Sequence, residues 1–221
     1  MPSQSVENYL KAIFTVGDYG KEPVTTNALA AYLETKAGSV TDMLKKLAEK
    51  QLVNYQKYKG VQLTPKGREV AVTTIRKHRL WEVFLVEHLK FGWDEVHEVA
   101  EELEHISSIK LIDNLDQFLG NPKKDPHGDP IPDREGHIRP PKDISLIDME
   151  EGSEGIVVGV REHSSSFLQY LESIPLLLGA HVEILRRFEF DDSRLVRVNH
   201  KKEVTLSPKV AANLSLHQND Q

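Results

Sequence analysis

The chain contains no cysteine, which removes disulfides, thiolate zinc sites and cysteine nucleophiles at once. It also has no run of about 18 apolar residues, so no membrane span is expected. The opening Met1-Pro2-Ser3-Gln4-Ser5 is too polar for a secretory signal, and a cytoplasmic protein is expected. Internal repeats and low-complexity tracts are absent. Basic charge is in short supply: 28 Lys and Arg stand against 34 Asp and Glu, a formal charge of −6. That balance is wrong for a uniform nucleic-acid binder. The shortage is uneven, however. Residues 1–75 hold roughly 10 basic and 7 acidic side chains, and residues 76–120 roughly 5 and 10. A mildly basic module joined to an acidic one suits DNA binding by the first and cation binding by the second.

At 221 residues, with 39% hydrophobic side chains, the chain can build more than one core. Val6, Tyr9, Leu10, Ile13 and Phe14 recur with a helical period before Gly17, Gly20 and Pro23 interrupt it. Thr26 is placed to cap a short helix, Asn27 to Leu33. The turn Lys36-Ala37-Gly38 leads to a longer helix, Ser39 to Gln51, with Val40, Met43, Leu44 and Leu47 facing inward. Two short helices around a tight turn predict a helix-turn-helix. Leu52 to Leu63 then reads as two strands about Lys59-Gly60, a wing. The pattern leaves Lys36, Ser39, Thr41, Asp42, Lys45 and Lys46 outside on the second helix and its approach, and Lys57 and Lys59 on the wing. Short hydroxyls can approach bases and phosphates, and lysines neutralise phosphate charge. A plain solvated helix face is the alternative, but helix, turn, helix and Lys/Tyr wing in succession favour DNA binding.

Thr64 and Pro65 predict the start of a long helix reaching Leu89, which carries His78 and Glu82 four residues apart. An acidic helix follows, Val96 to His105, and then Ile109 to Leu119 after Ser107-Ser108. Six of the 11 prolines fall in residues 120–142, a linker whose Asp125-Pro126-His127-Gly128-Asp129-Pro130 is too specific for a flexible spacer. Beyond it, Gly155–Val160, His181–Leu185 and Leu195–Val198 read as strands around a helix, Phe167 to Ser173, in a small β-barrel. The expected organisation is a winged helix-turn-helix domain (1–75), a helical domain with a Pro-rich linker (76–142) and an SH3-like domain (143–221). The fold class is mainly α with a β-rich C-terminal domain. Surplus apolar residues in the middle helices suit pairing with a second copy, which would present two recognition helices to a two-fold DNA site.

The acidic helix carries the chemistry. His97, Glu101, Glu104 and His105 stand at offsets 0, 4, 7 and 8, which share one helical face. Imidazoles and carboxylates converging there ask for a cation. Oxygen and nitrogen donors without sulfur suit manganese, ferrous iron or zinc, and carboxylates favour the harder end. His97-Glu98-Val99-Ala100-Glu101 lacks the second histidine of a zinc-protease His-Glu-x-x-His, and no substrate cleft is visible, so an enzyme is not expected.

A winged helix, Arg76-Lys77-His78-Arg79-Leu80-x-Glu82, Val96-His97-Glu98 through Glu104-His105, Pro126-His127-Gly128-Asp129-Pro130-Ile131-Pro132 and a small β domain follow in order. Together they resemble the diphtheria toxin repressor family of metal-dependent transcriptional regulators, over almost the whole chain. The resemblance implies a homodimer that binds double-stranded operator DNA when loaded with Mn2+ or Fe2+ and controls genes of metal uptake or storage. It also implies two metal sites. The first would use Asn8, Glu101, Glu104 and His105. Iron-responsive members resemble a pattern with methionine and cysteine at the first two positions, and manganese-responsive members carry carboxylates. Asn8 departs from both patterns, whereas Glu101 sides with manganese. The second site would use His78, Glu82 and His97 with Glu162 from the SH3-like domain. Asp125 and His127 stand where some manganese members recruit linker ligands, and His163 is a further candidate. Ligation at Asn8, Glu101, Glu104 and His105 would tie the first helix of the DNA module to the acidic helix and couple metal binding to operator binding. A winged-helix regulator responding to a small organic ligand, with the acidic helix merely solvated, is the competing reading.

Overall fold

The computed structural model describes residues 2–56, 59–139 and 142–218. Lys57 and Tyr58 on the expected wing, and Pro140 and Pro141 in the linker, lie outside the described residues. The chain divides into two compact units. The first comprises Met1–Trp81, Glu101–Asn121 and Ile131–Pro140, and the second Glu82–Ala100, Pro122–Pro130 and Pro141–Gln221. Segments of the expected middle domain therefore contribute to both.

In the first unit, helix α1 (Gln4–Val16) buries Val6, Leu10, Ile13 and Phe14 along its apolar stripe. Helix α2 spans Thr26–Tyr32. Its cap is Thr25, not Thr26: the Thr25 side chain accepts from the Ala28 amide at 3.1 Å. The shift follows from Val24, whose pairing with Val61 holds the chain extended up to Thr25. Helix α3 (Ala37–Glu49) starts two residues earlier than the sequence suggests and buries Val40, Leu44 and Leu47, while Met43 is half-buried. Each of those fully buried leucines contributes on the order of 2 kcal/mol of transfer free energy. Strands β1 (Val53–Gln56) and β2 (Gly60–Leu63) pair antiparallel, with Val53 opposite Leu63 and Gln56 opposite Gly60. They form the wing.

Helix α4 runs Pro65–Leu89. Thr64 Oγ1 accepts from the Gly67 amide at 3.1 Å and donates to Gln51 O at 2.8 Å, so one hydroxyl closes the helix start and ties it to the turn between α3 and β1. Gly67 is required there, because a Cβ would lie 1.9 Å from Leu52 O. Helix α5 is shorter than expected, Val96–Leu103. The chain turns at Glu104 and His105, with the Ile106 amide on Leu103 O, and Ser108 then caps α6 (Ile109–Phe118). Serine at 108 favours starting a new helix over prolonging the old one. Within the first unit, Arg76 of α4 reaches Asp116 at 2.8 Å and Asp113 at 3.5 Å on α6. Ile109 and Phe118 of α6 stay exposed.

The second unit is built on a six-stranded antiparallel sheet of β3 (Ile144–Ser145), β4 (Glu154–Val160), β5 (His181–Arg187), β6 (Arg194–Val198), β7 (Lys202–Leu206) and β8 (Leu214–His217). Their order across the sheet is β3-β8-β4-β5-β6-β7. Alternate residues Val182 and Ile184, and Val196 and Val198, point into a core completed by Leu168 and Leu171 of helix α7 (Ser165–Ser173). A short helix α8 (Pro208–Ala212) leads into β8. Strands β3, β7 and β8 and helix α8 go beyond the sequence reading. β7 is an edge strand with exposed Lys202 and Glu203, and β3 and β8 are only two and four residues long.

Candidate metal centres

Within the first unit, one face of α1 carries Glu7, Asn8 and Lys11, at helical offsets 0, 1 and 4. Glu104 is fully buried, and its Oε2 lies 2.8 Å from Lys11 Nζ and 2.7 Å from His78 Nδ1. Lys11 Nζ also reaches Glu101 Oε1 at 3.2 Å. His105 Nδ1 sits 2.6 Å from Glu7 Oε2, which turns its Nε2 towards Glu104 Oε1, 3.8 Å away. Two buried oxygens, Asn8 Oδ1 and Glu104 Oε1, have no hydrogen-bond partner. Orphaned acceptors of this kind are costly unless something electropositive satisfies them. Burial alone would push the Glu104 carboxyl up, but the His78 hydrogen bond and the Lys11 charge outweigh it and hold it below the usual carboxylate range. Burial likewise works against the Lys11 ammonium, and Glu104 and Glu101 overcome it and raise its pKa.

The four acidic-segment residues do not continue one helical spiral, because α5 ends at Leu103. Glu104 and His105 reach their partners from a turn. Glu7 and Lys11 are the members of this cluster that the sequence reading passed over. Their spacing with Asn8 on a strongly amphipathic helix was the available signal.

Within the second unit, Glu82 of α4 is buried, and its Oε1 lies 3.3 Å from His97 Nδ1 and 3.6 Å from His127 Nδ1. Candidate ligand atoms of Glu82, Asp125 and His127 all fall within 4.8 Å of one another, and all three residues are buried. The loop that supplies Asp125 and His127 is held rigidly. Asp125 Oδ1 accepts from the amides of His127 at 2.8 Å and Asp129 at 3.0 Å, and Val160 N donates to His127 O at 2.9 Å. Gly128 lies at φ +92°, and a Cβ there would come 2.1 Å from Val158 O, so glycine alone lets the loop lie against β4. His127 Nε2 is 2.8 Å from Trp93 O. A carbonyl only accepts, so Nε2 carries the proton, and in the neutral ring Nδ1 is left with its lone pair towards Glu82. That Nδ1 is buried without a hydrogen-bond partner. Backbone carbonyls orient metal-ligating imidazoles in this way. In the metal-free protein, burial opposes the charge on His127, but Glu82 and Asp125 outweigh it and push its pKa up to about 9.

Glu162 goes elsewhere. Its Oε1 accepts from Ser164 N at 2.9 Å, next to the α7 cap, and it joins none of the close ligand groups found among the described residues. Its neighbour His163 instead stacks on His127 with ring centroids 4.6 Å apart, its Nε2 3.2 Å from Val160 O. Burial, then the charge of His127, pushes the His163 pKa down to about 4. A third group, Asp133, Glu135 and His137, is exposed on a turn closed by its own Asp133–His137 hydrogen bonds.

On the DNA module, Lys36, Ser39, Asp42, Lys45, Lys46 and Lys59 are exposed. Lys45 pairs with Asp42 at 3.3 Å. Thr41 differs from the sequence reading: it is half-buried, and its hydroxyl donates to Ala37 O at 2.9 Å, the usual outlet for a mid-helix threonine. Lys57 lies outside the described residues.

The fold has close parallels among solved structures. A solved manganese-dependent transcriptional repressor in complex with manganese superposes with a TM-score of 0.90, is 34% identical, and covers 97% of this chain and 100% of its own. The chain belongs to the diphtheria toxin repressor family. Family profiles agree: residues 1–61 match the iron dependent repressor N-terminal DNA binding domain, 64–133 its metal binding and dimerisation domain, and 144–217 the FeoA domain. The manganese regulator SloR superposes with a TM-score of 0.82 at 31% identity, over 99% of this chain and 100% of its own. Among curated relatives, an uncharacterised HTH-type transcriptional regulator of Methanocaldococcus jannaschii is 38% identical over 117 residues, 53% of this chain and 94% of its own. The iron-dependent repressor IdeR of Mycobacterium tuberculosis is 32% identical over 128 residues, 58% of this chain but only 55% of that protein. The diphtheria toxin repressor family is one of metal-dependent transcriptional regulators rather than enzymes. No helix among the described residues is long and apolar enough to cross a membrane.

Proposed function

We propose that the chain is a homodimeric, operator-binding repressor activated by manganese or ferrous iron, with manganese favoured. The observation that carries this reading is two orphaned buried oxygens in the first unit: Asn8 Oδ1 on α1, and Glu104 Oε1, which lies 3.8 Å from His105 Nε2 while Lys11 bridges Glu104 to Glu101. Two carboxylates, an amide and an imidazole form a hard, sulfur-free donor set, which suits a divalent first-row ion at the oxygen-loving end. Glu82, Asp125 and His127 form a second such set in the second unit, with His97 Nδ1 3.3 Å from Glu82 Oε1, and His78 stands one turn before Glu82 on α4. A bound divalent cation would supply the positive charge that both carboxylate sets call for.

The chain's own residues would do the rest. Asn8 belongs to α1, whose buried face packs in the core that also holds Val40, Leu44 and Leu47 of the recognition helix. Fixing Asn8 against Glu101, Glu104 and His105 fixes α1, and through that core it fixes the base on which α3 stands. Lys36, Ser39, Lys45, Lys46 and Lys59 would then meet operator phosphates and base edges in the required register. Because metal and operator act on one equilibrium, each must tighten the other. Names of relatives support both ions: the superposed repressor and SloR are manganese proteins, and IdeR is an iron-dependent repressor. The exposed Ile109 and Phe118 on α6 suit burial against a second copy.

An electrophoretic mobility-shift titration with Mn2+, Fe2+, Zn2+ and chelator, on operator fragments selected from random sequence, tests the reading. Metal-dependent retardation is expected from the wild type and not from Glu104→Ala, which should still fold. Equal retardation in chelator and in metal would overturn the proposal.

A further inference from the structure

Lys11 is the only basic side chain on α1, and it is aimed at the carboxylates expected to hold metal. Its Nζ bridges Glu104 at 2.8 Å and Glu101 at 3.2 Å, and its side chain is only 11% exposed. Glu104 also receives His78 at 2.7 Å and faces His105 Nε2 at 3.8 Å, while Glu7 holds the far side of that imidazole. In this arrangement an ammonium already neutralises one of the two carboxylate charges. A divalent ion can reach Glu101 and Glu104 only by turning the ammonium out or by binding beside a like charge in a partly desolvated setting. Either route costs affinity.

We infer that Lys11 is a built-in competitor for the first metal site, and that it sets the metal concentration at which that site fills. This rests on the metal reading of the Glu101/Glu104 cluster given above. Asn8 sharpens the effect. An amide stands where a carboxylate would add charge, so Glu101 and Glu104 are the two negative charges among the proposed ligands and Lys11 offsets half of them. The same ammonium gives the metal-free protein a tether of its own: it holds α1 against the 101–104 segment before any ion arrives. Metal then replaces an existing link instead of creating the first one. The ammonium's preference for this place is consistent with the chemistry, since both carboxylates stabilise its charge against burial.

Isothermal titration of the full chain with Mn2+ tests this, using wild type, Lys11→Met and Lys11→Arg. Removing the charge should tighten one class of site by on the order of ten- to a hundredfold. The arginine variant keeps the charge and should stay within about threefold of wild type. Thermal melting supplies a second readout. Metal-free Lys11→Met should melt below wild type, and its manganese-induced rise should be larger. A residue that only packs would lower both forms alike. Lys11→Gln serves if the methionine variant does not fold, with the same expectation. Unchanged or weaker manganese affinity in Lys11→Met, while wild type binds, would overturn the competitor role and leave the metal reading standing. No manganese binding by wild type would overturn both, leaving Lys11 as an ordinary ion pair.

Discussion

Gly128→Ala is the sharpest local test of how the proposed second site is assembled. Gly128 sits at φ +92° with its α-carbon pressed against β4, where an added Cβ would lie 2.1 Å from Val158 O and 2.4 Å from Gly159 Cα. The positive φ costs an L residue about 1–2 kcal/mol. The overlap involves backbone on both sides, so a side-chain rotation cannot relieve it. The loop must lift, which breaks the Val160 N to His127 O hydrogen bond of 2.9 Å and loosens the Asp125 turn. Each lost bond adds roughly 1 kcal/mol. A total of about 3–5 kcal/mol is enough to undock a loop but not to unfold a typical domain. The β-sheet should survive while Asp125 and His127 leave Glu82. Circular dichroism should therefore be nearly native, and manganese titration should show one class of site lost or weakened by at least about a hundredfold. If Gly128→Ala binds manganese at both classes with wild-type affinity, the loop is not what holds the second site.

Two further outcomes follow from the same geometry. His127 is held protonated in the metal-free protein, its pKa raised from the ordinary 6.5 to about 9. Its stabilising effect is therefore complete below about pH 6.5 and fades as pH climbs through 9; melting of the metal-free protein should fall over that window, and His127→Gln should flatten the slope. On the DNA side, Lys45→Ala and Lys46→Ala remove exposed charges from the recognition helix. Each should weaken operator binding across sequences and lower the dependence of log affinity on log salt by about one; an unchanged salt slope would place these lysines off the phosphates.

The helical half of the chain was legible because its apolar periods are long and its caps chemically distinct. Val6, Leu10 and Ile13 repeat with helical spacing, and Thr64-Pro65 announces α4 to the residue. The end of α5 was not legible. Glu104 and His105 continue the helical spacing in sequence, and only the competing cap at Ser108 sets the turn. In the β-rich part, β4, β5 and β6 declared themselves through alternating Val and Ile. β7 was masked by edge lysines, and β8 by its four-residue length. At the sites, residue types were readable but partners were not. Glu162 and His163 are adjacent, and whether a carboxylate or a ring meets His127 depends on the α7 cap, where Ser164 N engages Glu162. Lys11 could be seen to share a face with Glu7 and Asn8, yet its reach to Glu101 and Glu104 depends on a turn some 90 residues away.

The bond from His127 to the Trp93 carbonyl has a kinetic consequence. A ring fixed at one nitrogen strongly prefers one orientation: a half-turn would put Cε1–H where Nε2–H stands and give up the bond to the carbonyl. The imidazole is therefore aimed when the chain folds, well before an ion is present. Capture of an ion at this proposed site would then need no ordering of the loop. It would be limited by how fast the ion sheds water and the ring sheds its proton, and stopped-flow mixing should resolve a single phase that quickens with pH. A loop that had to close over the ion would add a slower phase, independent of metal concentration.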